Sequence, residues 1–211
     1  MEYNIKNIYP SADLDRLEKL MRERLQPGAD KAAIDARIWD LFGETWAVMF
    51  TDLSGFSRSV KKFGIIHFLQ IIYESQRIFI PCIDNHDGIL VKIEGDSMLV
   101  IFRQPTKAVA CAIEMQRTAK VYNQDKPENE QILLCVGIGY GRILNLGDFD
   151  VFGAEVNAAS KLGEDTADSW EILVTPSVAD RISEMSDDLS LEKLEYVPPG
   201  AEGSFRLIYP L

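Results

Sequence analysis

The stretch Ile89–Phe102, Ile-Leu-Val-Lys-Ile-Glu-Gly-Asp-Ser-Met-Leu-Val-Ile-Phe, constrains the fold of this chain more than any other. Two apolar runs flank one short polar break, so they read as strands over 88–93 and 97–102 joined in a hairpin around Glu94-Gly95. A third strand is predicted at 46–52, followed by a helical stretch to about residue 84 with a candidate break at Phe63-Gly64. After the hairpin, a helix over 106–123 turns Ala108, Cys111, Ala112 and Met115 inward, and Asn123–Glu130 is a polar loop. A strand at 132–139 leads into Gly141-Arg142, with a short strand at 143–146. The order β-α-β-β-α-β predicts an α+β fold with a ferredoxin-like core, an antiparallel sheet backed by two helices. A helix over 154–164 and strands near 171–174, 189–196 and 204–209 extend it.

Residues 1–45 read as a helical N-terminal extension to a domain spanning 46–211. Ser11 is a candidate N-cap, Leu14, Leu17, Leu20 and Met21 recur at helical spacing, and Pro27-Gly28 breaks the segment. A second helix follows from about Lys31, with Ile34, Ile38 and Leu41 on one face, and stops near Gly43.

The formal net charge of −11 argues against nucleic-acid or anionic-membrane partners. An anionic substrate then needs a site that is locally basic or filled by metal. No apolar run approaches the ~18 residues of a membrane span, and the N-terminus lacks a signal-peptide pattern, so a soluble cytoplasmic protein is expected. Cys82, Cys111 and Cys135 read as free buried thiols, and neither they nor His67 and His86 show zinc-ligand spacing.

Two aspartates stand where strands meet glycine-containing turns: Asp52 in Phe50-Thr-Asp-Leu-Ser-Gly55 and Asp96 in Glu94-Gly-Asp-Ser97. Taken singly, Asp52 is a helix N-cap and Asp96 a turn residue. Taken together they suit a pair of hard cations on a phosphate-bearing substrate, because Mg²⁺ favours one or two carboxylates plus phosphate oxygens. A turn at Glu94-Gly95 pairs Lys92 with Ser97 and Ile93 with Asp96. Lys92 and Asp96 then project from opposite faces of the ribbon.

On the helix after residue 153, Asn157 and Lys161 share a face at i,i+4, with Val156, Ala159 and Gly163 turned away. They suit a phosphate or a ribose, or else form a solvated face on which Lys161 pairs with Glu164. The run Gly137-Ile-Gly-Tyr-Gly141 lacks the spacing of a dinucleotide fingerprint. Its alternate glycines instead permit a close backbone or helix contact.

Four segments in order, Phe50–Ser57, Lys92–Ser97, Val136–Arg142 and Phe152–Lys161, resemble the catalytic domain of class III adenylate/guanylate cyclases of the small stand-alone bacterial type. The resemblance covers roughly residues 45–210. It implies a head-to-tail homodimer that shares each active site, with two Mg²⁺ or Mn²⁺ held by Asp52, Asp96 and the Leu53 carbonyl of one subunit. From the other subunit, Lys92 and Asp150 would read the base and Asn157 would orient the ribose, while Arg142 of the metal-binding subunit contacts the triphosphate. The implied reaction is attack of the ribose 3′-hydroxyl on the α-phosphorus, releasing pyrophosphate. A Lys-Asp pair suits the adenine edge, so ATP and cAMP are expected, with GTP or a pyrimidine triphosphate as alternatives.

Two positions depart from the family pattern. Lys161 stands where the family carries its transition-state arginine, keeping the charge but losing the planar fork. The turn Pro198–Gly203 holds no basic residue where some members have a phosphate-binding lysine, leaving Lys193 or Arg206 to substitute. A degenerate cyclase domain acting as a nucleotide-binding or regulatory module is therefore the alternative. An RNA-binding sheet is disfavoured by charge and by the absence of an aromatic platform.

Overall fold

The computed structural model describes residues 11–54, 63–182, 185–186 and 188–211. Helix α1 (Ala12–Arg24) begins where the Ser11 side chain accepts the Leu14 N–H at 3.2 Å, and α2 (Lys31–Phe42) where Asp30 accepts the Ala33 N–H at 3.1 Å. Ion pairs Arg24–Asp35 and Arg37–Glu23 tie the two helices, at 2.6 and 2.7 Å. Their apolar faces (Leu20, Ile34, Ile38, Phe42) bury against Leu146, so the extension packs onto the far end of the sheet.

Strand β1 (Gly43–Leu53) follows α2 directly. Next come α3 (Ile65–Asn85), the hairpin β2 (Ile89–Glu94) and β3 (Ser97–Phe102), α4 (Pro105–Asn123) and β4 (Leu134–Asn145). A two-residue strand β5 (Val151–Phe152) precedes α5 (Ala154–Gly163), β6 (Ile172–Val174), α6 (Pro176–Ile182), β7 (Ser190–Leu194) and β8 (Ser204–Ile208). The strands form one sheet in the order β2-β3-β1-β4-β6-β8-β7, with β5 added to β4. Among the described residues only the β4–β6 pairing is parallel. The first four positions carry the expected βαββαβ core, and the later strands extend it past β4.

Side-chain alternation divides the sheet into two faces. Met49, Met98, Val100, Phe102, Val136 and Ile138 pack under α3 and α4 in the main core. On the other face Val48, Leu99, Ile101, Val151 and Val156 form a smaller cluster under α5. There α5 lies backbone to backbone on β4: a Cβ on Gly137 would meet the Ala159 carbonyl oxygen at 2.2 Å, and one on Gly139 the Glu155 carbonyl oxygen at 2.5 Å. The alternate glycines of β4 therefore serve helix contact, as their spacing predicts.

Several elements differ from the sequence expectation. The strands expected at 132–139 and 143–146 are one, because β1 runs beside it throughout, with Trp46 opposite Gly141 and Thr45 opposite Arg142. For the same reason β1 begins at Gly43 rather than residue 46. Strand β5 and helix α6 were not anticipated. The cysteines are buried and free. His67 bonds the Asn129 carbonyl at 2.6 Å and His86 pairs with Glu114 at 2.7 Å, both structural contacts. Among the described residues no helix is long and apolar enough to cross a membrane.

Candidate active site

The β1–β3 register ends at Thr51 opposite Met98, which places Asp52 beside the β2–β3 turn. That turn is one residue further on than expected. Glu94 pairs with Ser97, so Gly95 and Asp96 are its central residues. Gly95 has φ +63°, the left-handed value a II′ turn needs at its first central position and glycine adopts without strain. A turn at Glu94-Gly95 would have put a glutamate there. Lys92 therefore stands opposite Leu99 rather than Ser97, and a bulge between Leu90 and Lys92 shifts the pairing beyond it. Asp96 is thus a turn residue, while Lys92, opposite Leu99, keeps the face that Ser97 and Leu99 share, because moving a two-residue turn by one position shifts the pairing by two.

Asp52 and Asp96 meet at the end of β1. Burial, then the charge of Asp96, pushes the Asp52 carboxyl up to about 7. Burial also raises Asp96, although backbone N–H groups, that of Leu53 among them, partly offset it. Asp96 Oδ2 is buried with no hydrogen-bond partner. A half-buried carboxylate pair with an unpartnered oxygen is costly unless a cation joins it. Their hard oxygens fit a divalent cation of the Mg²⁺ type. Among the described residues no group of three or more His, Cys, Asp or Glu is arranged to hold a metal, so further ligands would be backbone, water or substrate oxygens.

Behind the pair lies a hydroxyl-carboxylate relay that sequence reasoning missed. Ser97 Oγ is 2.7 Å from the Thr51 carbonyl oxygen and 2.6 Å from Glu164 Oε1, and Thr51 Oγ1 accepts the Met98 N–H at 3.2 Å. Ser160 Oγ donates to the other oxygen of Glu164. The only sequence cue was the i,i+4 spacing of Ser160 and Glu164, which any solvated helix end can show.

Lys92 and Asp150 come together 58 residues apart in sequence, with Nζ 3.0 Å from Asp150 Oδ2. The β4–β5 connection makes this contact. Val151 buries with Trp46, Val48, Leu99 and Ile101, which lays the connection over the sheet face, and Asp150 Oδ1 accepts the Val151 N–H at 2.8 Å. Glu94 is a second partner for Lys92 at 3.0 Å. Partial burial opposes the ammonium charge, but these two carboxylates win and hold Lys92 above its usual range.

On α5, Asn157 is exposed and donates from Nδ2 to the Pro199 carbonyl at 2.7 Å. Gly200, at φ +107°, seats that turn so close that a Cβ would meet the Ala154 carbonyl oxygen at 2.2 Å. Lys161 pairs with Asp165 at 2.6 Å, not with Glu164, which is committed to the two serines. Arg142 is not brought to the carboxylate pair. It stands opposite Thr45 near the start of β1, bonds the Trp39 carbonyl at 3.1 Å and lies 4.8 Å from the centre of the Trp39 ring. Arg206 is held by Glu171 and Glu192 at 2.7 and 2.8 Å. A cavity of about 470 Å³ lined by His86, Glu114, Arg117 and Pro210 shares no residue with these clusters.

The family model for the adenylate and guanylate cyclase catalytic domain matches residues 43–204. The chain belongs to that family. An adenylate cyclase of Mycobacterium tuberculosis is 25% identical over 221 aligned positions, 97% of this chain and 45% of that protein. A putative adenylate cyclase of Rhizobium meliloti is 28% identical over 141 residues, 67% of this chain and 24% of its own length. The serine/threonine-protein kinase pkn2 of Myxococcus xanthus is 30% identical over 131 residues, 62% of this chain and 16% of that protein. The cyclase domain thus spans less than half the length of these curated relatives. Among solved structures, an adenylate/guanylate cyclase/hydrolase of Silicibacter pomeroyi superposes with TM-score 0.66 at 26% identity, covering 80% of this chain and 98% of that one. The adenylyl cyclase CyaB of P. aeruginosa has the same fold at TM-score 0.65 and 20% identity, covering 80% and 96%.

Proposed function

We propose that this cyclase domain converts ATP to 3′,5′-cyclic AMP and pyrophosphate at sites shared between two copies of the chain in a head-to-tail dimer. One observation carries the reading: the Asp52–Asp96 pair has a buried unpartnered oxygen, while among the described residues the candidate basic groups are held by other partners. Lys92 is held by Asp150 and Glu94, Lys161 by Asp165 and Arg142 by Trp39. A second copy supplies the missing half when its Lys92, Asp150, Asn157 and Lys161 face the aspartates of the first.

In this reading Asp52, Asp96 and the Leu53 carbonyl hold two Mg²⁺ or Mn²⁺. Such ions supply charge neutralisation at the phosphates and at the attacking oxygen. The chain's own groups position the substrate. Lys92 donates to the ring nitrogen of the adenine edge and Asp150 accepts from its amino group. Their 3.0 Å pairing pre-orients both. Asn157, steadied by Pro199, orients the ribose, and Lys161 offers its charge to the α-phosphate as the 3′-oxygen bonds to phosphorus. The bond to the β-phosphate breaks, pyrophosphate leaves with its electron pair, and the hydroxyl proton passes to the medium. The guanylate cyclase domain of Catenaria anguillulae was solved in complex with GTP, which supports a triphosphate substrate for this fold.

The test is complementation. Asp96→Asn and Asn157→Ala each inactivate both sites of a homodimer. Mixing them restores about a quarter of wild-type activity, because half of randomly formed dimers are mixed and each has one intact site. Absence of cyclic product from all four triphosphates with Mg²⁺ or Mn²⁺, in folded protein, refutes the enzyme. The Lys161–Asp165 pair favours a second reading, a nucleotide-binding regulatory module. Lys161→Arg separates the two: a large gain in turnover marks a decayed site, a loss an adapted one.

A further inference from the structure

We infer that Glu164 is a positioning residue for the divalent-cation site, gripping the Asp96 turn through Ser97 and adding a third negative charge behind Asp52 and Asp96. The inference rests on reading that carboxylate pair as the cation site. It stands first on geometry. Ser97, adjacent to Asp96, lies 2.6 Å from Glu164 Oε1 and 2.7 Å from the carbonyl of Thr51, the residue before Asp52. A hydroxyl has one proton, so Ser97 hangs between the strand that carries one aspartate and the helix end that carries Glu164. The other Glu164 oxygen takes the Ser160 hydroxyl, which fixes the rotamer.

Helix chemistry points the same way. Glu164 is the C-cap residue of α5, where the helix dipole favours a cation and disfavours a carboxylate. Helix stability therefore does not explain a glutamate at this place. A divalent cation held by Asp52 and Asp96 would also feel the attraction of the Glu164 charge. Glu164 is open to solvent on its outer side, which screens part of this effect.

The experiment is a titration of the purified chain with Mn²⁺ alone, without nucleotide, reading free Mn²⁺ by electron paramagnetic resonance. Glu164→Gln keeps an acceptor for Ser97 and removes the charge. It is expected to weaken Mn²⁺ binding roughly fivefold, the effect of one partly screened charge. Glu164→Ala and Ser97→Ala, which release the turn, are expected to weaken it further, and Asp96→Asn to abolish it. Unchanged Mn²⁺ affinity in folded Glu164→Gln and Ser97→Ala proteins overturns the inference while leaving the cation site intact. Equal Mn²⁺ binding by wild type and Asp96→Asn overturns the cation site and the inference with it. Glu164→Gln preserves shape, so it decides the matter even where Glu164→Ala fails to fold.

Discussion

Asp52→Asn is expected to stabilise the metal-free protein while destroying its chemistry. In the folded chain Asp52 keeps its proton up to about pH 7, against an ordinary value of 3.8, first because it is buried and then because Asp96 faces it. Between those two values the folded state binds more protons than the unfolded state, so stability falls as pH rises through that window. The contribution is fully present below 3.8 and gone above about 7. At about 1.4 kcal/mol per pH unit the full gap amounts to about 4 kcal/mol. Asp52 is only half-buried, and solvent screening reduces this to about 2 kcal/mol. Asparagine keeps the size of the side chain and cannot ionise. At pH 8 in chelator, Asp52→Asn should therefore melt about 4–8 °C above wild type.

Thermal denaturation followed by circular dichroism, with EDTA at pH 5 and pH 8, measures this. The gain should shrink at pH 5, where much of the cost has not yet accrued. Adding Mn²⁺ at pH 8 should reverse the order, because a ligand that binds only the folded state raises wild-type stability by about 2.7 kcal/mol at one hundred times its Kd. The variant lacks half the site. Equal melting temperatures at pH 8, or a gain as large at pH 5 as at pH 8, would refute the claim that the pair is held under electrostatic strain.

Three further outcomes follow from contacts on the sheet face. Gly137→Ala places a Cβ 2.2 Å from the Ala159 carbonyl oxygen and 2.3 Å from the Gly163 nitrogen, both backbone, so urea unfolding should show a loss of about 3 kcal/mol; a loss under about 1 kcal/mol would mean that α5 can lift off β4. Lys92→Ala should lower kcat/KM for ATP on the order of 100-fold, the value of one charged hydrogen bond, with product quantified by chromatography; an unchanged ratio of ATP to GTP turnover would count against a base-reading role. Lys161→Ala should lower kcat by about 10²–10³ with little change in KM, and equal losses in nucleotide affinity would instead place Lys161 in ground-state binding.

Long periodic segments of this fold are legible in the sequence. Helices α1 and α2 with their break at Pro27-Gly28, and the inward row Ala108, Cys111, Ala112 and Met115, follow from a period of 3.6. The βαββαβ order follows from runs too short and too apolar for surface helices. Elements that exist only through a partner were not legible. Strand β5 has two residues and is a strand because Leu144 and Asn145 pair with it. The hairpin turn falls one residue further along than the apolar runs suggest, because its first central position has the left-handed φ that glycine adopts without strain. Moving a two-residue turn by one residue shifts the pairing by two, so Lys92 keeps the face of Ser97 and Leu99 while Asp96 sits in the turn.

Legibility of the site divides along the same line. Asp52 and Asp96 announced themselves, since a carboxylate at the end of an apolar strand is an anomaly that local sequence exposes. Glu164 did not, because a glutamate near a helix end resembles any solvated charge until Ser97, 67 residues away, is found against it. Arg142 shows the converse. Its motif points toward phosphate, yet its guanidinium is taken by the Trp39 carbonyl and ring, on a helix that lies before the matched residues 43–204. A family motif conveys what a side chain is able to do, whereas the flanking sequence determines what else competes for it. In this chain the competitor is α2, packed on the same end of β4 through Phe42 and Leu146. Any role of Arg142 toward substrate therefore competes with its contact to Trp39, at the end of the sheet where the N-terminal helices pack.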